Sequence, residues 1–175
     1  SKNVNLASAR AGNVIGGGDW AADRLIPDVL TAFEKSEPVV IRNPESFRPW
    51  QHVLEPLLGY MMLAERLFEQ GGRFAEGWNF GPYEQDVKSV DWILDYMIKQ
   101  WPGASWTLNE NKKPHEAKRL NLDISKASEL LGWTPTWDLS KTLRNIVQWN
   151  KLWLSGADMQ KVCVSEIENF TKDMN

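Results

Sequence analysis

With 175 residues, 42% of them apolar, the chain is long enough to bury one sizeable core. Its formal net charge of −3 argues against nucleic acid as a partner, since phosphate backbones need a basic face, so any anion site has to be local. No apolar run reaches the length of a membrane span, no signal-peptide pattern opens the chain, and the single Cys163 excludes an internal disulfide; a cytoplasmic protein with no membrane partner is expected.

From the N-terminus, Val4 to Ala9 is small and apolar, as a strand buried on both faces should be. The chain opens on Ser1 only a few residues earlier and reads as a segment of something longer. The strand runs into Gly16-Gly17-Gly18, and three consecutive glycines, costly in chain entropy, read as a place where a ligand comes close. Gly16 to Ala21 also spells G-x-G-x-x-A, the dinucleotide fingerprint, but the last small residue of that motif must open a helix. The next helix is best started at Pro27, six positions beyond Ala21, so the fingerprint is set aside.

That helix, Pro27 to Lys35, ends before Glu37-Pro38, and the β-branched Val39-Val40-Ile41 makes a short strand. Phe47 to Val53 is extended, with Arg48 held between aromatics by the proline after it. A helix from Leu57 to Phe68, opened by Pro56 and stopped by Gly71-Gly72, presents Leu57, Tyr60, Met61, Ala64, Leu67 and Phe68 for packing against a larger body. Gly77 to Pro82 is a strand, Ser89 caps a helix from Val90 to Gln100, and Ser105 to Leu108 is a strand. A polar loop carries Lys112, Lys113 and His115, and Arg119 to Asp123 alternates as a strand. Ser125 caps a helix ending at Gly132, Asp138 or Ser140 caps one reaching about Ser155, and Asp158 to Phe170 forms the last. The class is α/β, with too few strands in the first half for a complete doubly wound sheet. Ten tryptophans are read as core and rim.

Five anchors then fall in one order: Arg10-x-x-Asn13-x-x-Gly16, Arg24-Leu25-Ile26-Pro27, Phe47-Arg48-Pro49-Trp50, Trp78-Asn79-Phe80-Gly81, and Asp123-x-x-Lys126 through Leu131-Gly132-Trp133. On these the chain resembles the C-terminal half of the extended short-chain dehydrogenase/reductases that act on nucleotide sugars. Gly16 to Trp20 and Arg48 to Pro56 look most like the branch that dehydrates CDP-glucose. The resemblance implies a substrate-binding part in which two strands complete a Rossmann sheet lying elsewhere. Residues 1–18 would close that Rossmann domain, 19–175 would form the substrate domain, and 50–82 would pack back on the Rossmann part. It further implies CDP-glucose as substrate, NAD held mainly by an upstream half, and a homodimer. The family's Tyr-x-x-x-Lys pair is missing: Tyr60, Tyr83 and Tyr96 are followed four residues later by Ala64, Val87 and Gln100. No catalytic residue and no metal ligand is therefore assigned, and the chain by itself is expected to be inactive and poorly stable.

The substrate residues implied by the resemblance are Arg48, Asn79 and Asn13 for the diphosphate, Arg24 and Leu25 along the nucleotide, Val39 and Ile41 as an apolar slot for the pyrimidine, and His115 from the late loop. Arginine suits a diphosphate because its fork of donors is fixed and charge-assisted. His52 is read as a structural histidine with no carboxylate partner evident in the sequence. Two other readings stand beside this one: a UDP-sugar epimerase or dTDP-glucose dehydratase of the same family, and a Trp-rich binding module without chemistry.

Overall fold

The structure, a computed structural model, describes residues 4–109 and 119–174. Strands and helices alternate through most of it: β1 (Ser8–Ala11), β2 (Asn13–Ile15), α1 (Leu25–Glu34), β3 (Val39–Ile41), β4 (Phe47–Arg48), β5 (Trp50–His52), α2 (Leu54–Gln70), β6 (Gly77–Phe80), β7 (Lys88–Ser89), α3 (Val90–Ile98), β8 (Trp106–Leu108), α4 (Leu139–Leu154) and α5 (Met159–Asp173). A π-type turn, Ala127–Leu131, precedes α4.

The strands form ribbons of two. β1 runs parallel to β6, β2 to β5 and β3 to β8, while β4 and β7 are antiparallel. β1 and β2 are one extended stretch that changes partner at Gly12, whose N–H donates to Phe80 O at 3.0 Å while the next N–H, of Asn13, donates to Pro49 O at 2.8 Å. Such a change of partner leaves a crevice beyond the strand ends.

Two cores flank this seam. One gathers the inner faces of α1, β3, α3 and α4, with Val29, Ile93, Leu94, Leu143 and Ile146 fully buried. The other packs α2 and the 127–131 turn on β6 through Leu63, Trp78, Phe80 and Trp133. α2 lies so close to β6 that a Cβ at Gly59 would stand 2.3 Å from the Phe80 ring.

Several expectations are corrected. The first strand begins at Ser8, not Val4, and is not buried on both faces; Val4 and Leu6 are exposed because β1 has a partner on one side only among the described residues. α1 begins at Leu25 and α2 at Leu54, each with its proline third in the helix, where an absent N–H costs nothing because the first four N–H groups have no intrahelical acceptor. α2 buries Glu55, Pro56, Gly59 and Leu63, whereas Leu57, Met61 and Phe68 of the expected packing face point to solvent. Arg119 to Asp123 contributes a single bridge to Phe47 instead of a strand. The turn after it is capped by Asp123, which accepts from Ser125 N–H at 2.9 Å, not by Ser125. Ser89 stands at the N-cap of α3, but its hydroxyl bonds to the Asp91 carboxylate rather than a helix N–H. The expected caps Asp138 and Asp158 do accept, from Lys141 and Lys161 N–H.

The two cores are joined by a buried carboxylate. Glu55, fully buried in the first turn of α2, accepts from Thr136 N–H at 3.0 Å and Trp137 N–H at 2.7 Å, and its carbonyl accepts from the Trp133 indole at 3.1 Å. Burial pushes its carboxyl above the ordinary value, against the pull of those two N–H groups and of His52. A carboxyl raised in the folded state binds its proton more tightly there than in the unfolded chain. The contribution of this group is therefore fully present below the ordinary carboxyl value and declines as pH rises through the folded one. Chemical denaturation of the wild type between pH 4 and pH 8 is expected to show this decline, and Glu55→Gln to lack it. Glu55→Ala, which strands two buried donors, is expected to lower stability by about 2–5 kcal/mol.

Candidate functional site

Where β1–β2 changes partner, a cleft opens between the start of α1, the loop after β3 and the β4–β5 segment. It has two chambers. The first, about 530 Å³, is bounded by Gly12, Asn13, Arg24, Leu25 and the Leu120–Leu122 segment. The second, about 420 Å³, is bounded by Asp28, Ile41, Arg42, Ser46 and Arg48. Asn13, Asp23, Leu25 and Trp50 line both, so the chambers meet along these four residues.

Each wall follows from local structure. Arg48, half-buried in β4, has its guanidinium anchored by an Nη1 bond of 2.8 Å to Phe47 O. Trp50, one residue beyond Pro49, is buried in β5, and its indole N–H has no hydrogen-bond partner among the described residues. An orphaned buried donor of this kind is uncommon, and here it belongs to the wall shared by the two chambers. Leu25 and Ile41 bring apolar surface from the first turn of α1 and the end of β3.

Five of the residues named from sequence thus meet in one cleft: Asn13, Arg24, Leu25, Ile41 and Arg48. Arg24 reaches it in an ion pair, with Nη1 3.3 Å from Asp19 Oδ2. Asn79 and Val39 do not line it. The Asn79 amide is engaged twice, accepting from Arg10 Nε at 2.9 Å and donating to Asp123 O at 3.0 Å, so it ties β1, β6 and the 123 turn together. Val39 faces the core, and period two along β3 leaves Ile41 nearer the cleft. His115, with Lys112 and Lys113, lies outside the described residues. The sequence reading also missed Trp50, Asp23, Asp28 and Arg42. Of these only Arg42, a cation next to the β3 strand, carried a usable signal.

His52 is buried as a structural histidine should be. Its Nδ1 accepts from Leu54 N–H at 3.3 Å, which leaves Nε2 protonated and facing Glu166 Oε1 at 3.5 Å. That carboxylate, from α5, is the partner the sequence did not reveal.

No family model matches the chain. It is 56% identical, over 168 residues, to CDP-glucose 4,6-dehydratase of Salmonella typhimurium, a match covering 95% of this chain and 47% of that protein. Among solved structures it is similar to UDP-glucuronic acid 4-epimerase from Bacillus cereus, in complex with UDP-glucuronic acid and NAD, at a TM-score of 0.73 and 22% identity over 86% of this chain and 46% of that one. It is also similar to dTDP-glucose 4,6-dehydratase from Bacillus anthracis, in complex with NAD, at a TM-score of 0.60 and 17% identity over 83% and 44%. The chain spans about half the length of these proteins, and over that half it has their mixed α/β fold.

The residues present do not fit a dinucleotide. A Cβ on Gly17 would stand 2.3 Å from the Trp149 ring, and α1 opens at Leu25, four positions past Ala21, not at the glycines. The sequence reading of this run as a ligand loop is corrected: Gly17 is small so that the Trp149 indole can lie against its backbone. Gly17→Ala is expected to cost about 1–3 kcal/mol in urea denaturation, the usual penalty of overpacking, without changing nucleotide affinity by more than about twofold.

Proposed function

We propose that the chain forms the nucleotide-sugar-binding part of an NAD-dependent CDP-glucose 4,6-dehydratase, a lyase that converts CDP-glucose to CDP-4-keto-6-deoxyglucose and water. The observation that carries this reading is the shared cleft, in which Asn13, Leu25, Ile41 and Arg48 stand together in a chain 56% identical to such an enzyme. Arg48 offers charge-assisted donors to the diphosphate and Asn13 an amide donor beside it. Leu25 and Ile41 offer apolar walls to the base. The role of Arg24 is reduced by its Asp19 partner, and the engaged amide of Asn79 serves the scaffold. His115 is assigned to the substrate-facing loop on the resemblance alone.

No catalytic residue is assigned to this chain, and the acid, the base and the NAD site are placed in the part of the relative's length that it does not span. In this reading residues 1–18 belong with the Rossmann domain, 19–175 form the substrate domain, and 50–82 pack back on the Rossmann part. The exposed stripe Leu57, Met61 and Phe68 on α2 supports that contact. A cytoplasmic homodimer, paired through helices outside this chain, completes the proposal. Among the described residues no helix is long and apolar enough to cross a membrane.

Calorimetric titration of the chain with CDP tests the cleft. Arg48→Ala is expected to weaken binding by about ten- to a hundredfold, the loss of charge-assisted hydrogen bonds. Equal affinity in the variant and the wild type would remove Arg48 from the site.

A further inference from the structure

The proposed enzyme must tell a cytosine nucleotide from a uracil or thymine one, whereas the structural neighbours above carry UDP or dTDP sugars in their names. The pyrimidines differ at one edge. Cytosine presents an N4 amine, which donates, next to N3, which accepts; uracil and thymine present O4, which accepts, next to an N3–H that donates. A site that favours cytosine needs an acceptor facing position 4.

The second chamber holds such a group. Asp28 lies three residues beyond Leu25 on α1, hence on the same helix face, and both line the chamber together with Ile41 and Arg48. A backbone N–H from Asp23 hydrogen-bonds the Asp28 carboxylate and fixes its direction. Asp23 has a left-handed backbone, with φ of 61°. Neither Asp28 oxygen is committed to an ion pair with Arg42 or Arg48 in the structure, although both arginines line the same chamber. The wall shared with the first chamber also carries the unpartnered indole N–H of Trp50, a second polar group in search of a ligand atom.

We propose that Asp28 is the base-selecting residue of the cleft, accepting from the cytosine N4 amine and repelling the O4 of uracil and thymine. The proposal rests on the nucleotide-cleft reading above. An ionised carboxylate is an acceptor only, so it offers O4 nothing but repulsion. The apolar walls from Leu25 and Ile41 hold the ring in the plane where that contact is made. Burial, followed by the neighbouring Asp23 carboxylate, pushes the Asp28 carboxyl upward. A protonated Asp28 would serve the same edge, donating to N3 and accepting from N4.

The test is calorimetric titration of CDP and UDP against the wild-type chain, Asp28→Asn and Arg48→Ala. Asparagine keeps the shape and adds a donor suited to O4, and its folding is checked by a circular-dichroism melt. The wild type is expected to prefer CDP by about tenfold or more, and Asp28→Asn to shift the CDP:UDP affinity ratio toward UDP by about tenfold. If Asp28→Asn weakens both nucleotides equally, Asp28 holds the ribose or the fold and the inference is overturned while the cleft stands. An unchanged ratio with Arg48→Ala still weakening both nucleotides overturns it in the same way. If Arg48→Ala has no effect on either nucleotide, the cleft reading itself fails, and the inference with it.

Discussion

Everything that positions the cleft depends on two backbone N–H groups finding the carboxylate of Glu55. The segment before α4 has no regular structure, and its amides at Thr136 and Trp137 are buried where water cannot serve them. Glu55 serves them from the first turn of α2, three residues past the end of β5. The same short stretch therefore fixes β5 against β2, and with it Trp50 and Asn13, on one side. On the other it fixes the entry to α4, whose first N–H is met by Asp86 at 3.2 Å. Burying an ion is expensive, and burial raises the carboxyl of both Glu55 and Asp86. The cost is offset because the alternative is several unpaired amides in the same place.

α5 is attached differently. Phe170 alone is buried along it, so apolar packing holds it weakly and polar side chains do the rest. Asp173 accepts from the Trp137 indole at 2.7 Å and from Lys141 at 2.6 Å, and these bonds hold its carboxyl below the ordinary value. Glu166 faces buried His52, and Cys163 accepts from the Trp149 indole at 3.4 Å. Four of these contacts end on tryptophan or on a residue that touches one. That accounts for much of the tryptophan content: the indoles supply apolar bulk and a donor that reaches across a helix gap.

Element order was legible in the sequence because it depends on local signals. β3, β6, β8, α3, α4 and α5 lie within a few residues of where periodicity, caps and breakers place them. Burial was less legible. The apolar stripe of α2 was identified correctly as apolar, but which side of the helix is covered depends on Glu55, a charged residue that periodicity assigns to solvent. The same limit applies to the glycine run. Entropic cost correctly marked it as meaningful, yet its reason, the Trp149 ring 132 positions away in sequence from Gly17, is a long-range contact. In the cleft, Arg48 and Asn13 came from motif spacing, whereas Trp50, Asp23 and Asp28 came only from the fold, because α1 starts two residues earlier than its proline suggests.

Charge decides how a nucleotide diphosphate would lie in that cleft. The chain is acidic overall, so attraction must come from particular side chains and not from a general field. In the first chamber Arg24 is paired with Asp19 at 3.3 Å and both are solvent-facing in part, so little of its charge is left for a phosphate. In the second, Arg42 and Arg48 stand opposite a single carboxylate, Asp28, that belongs only to that chamber. A diphosphate is therefore drawn to the Arg48 side of the seam, next to the shared Asn13. The base then falls between Leu25 and Ile41, with its edge toward Asp28, and the sugar extends into the first chamber past Gly12. The change of strand partner at Gly12 creates the crevice, and the uneven distribution of carboxylates between its two halves gives it a direction.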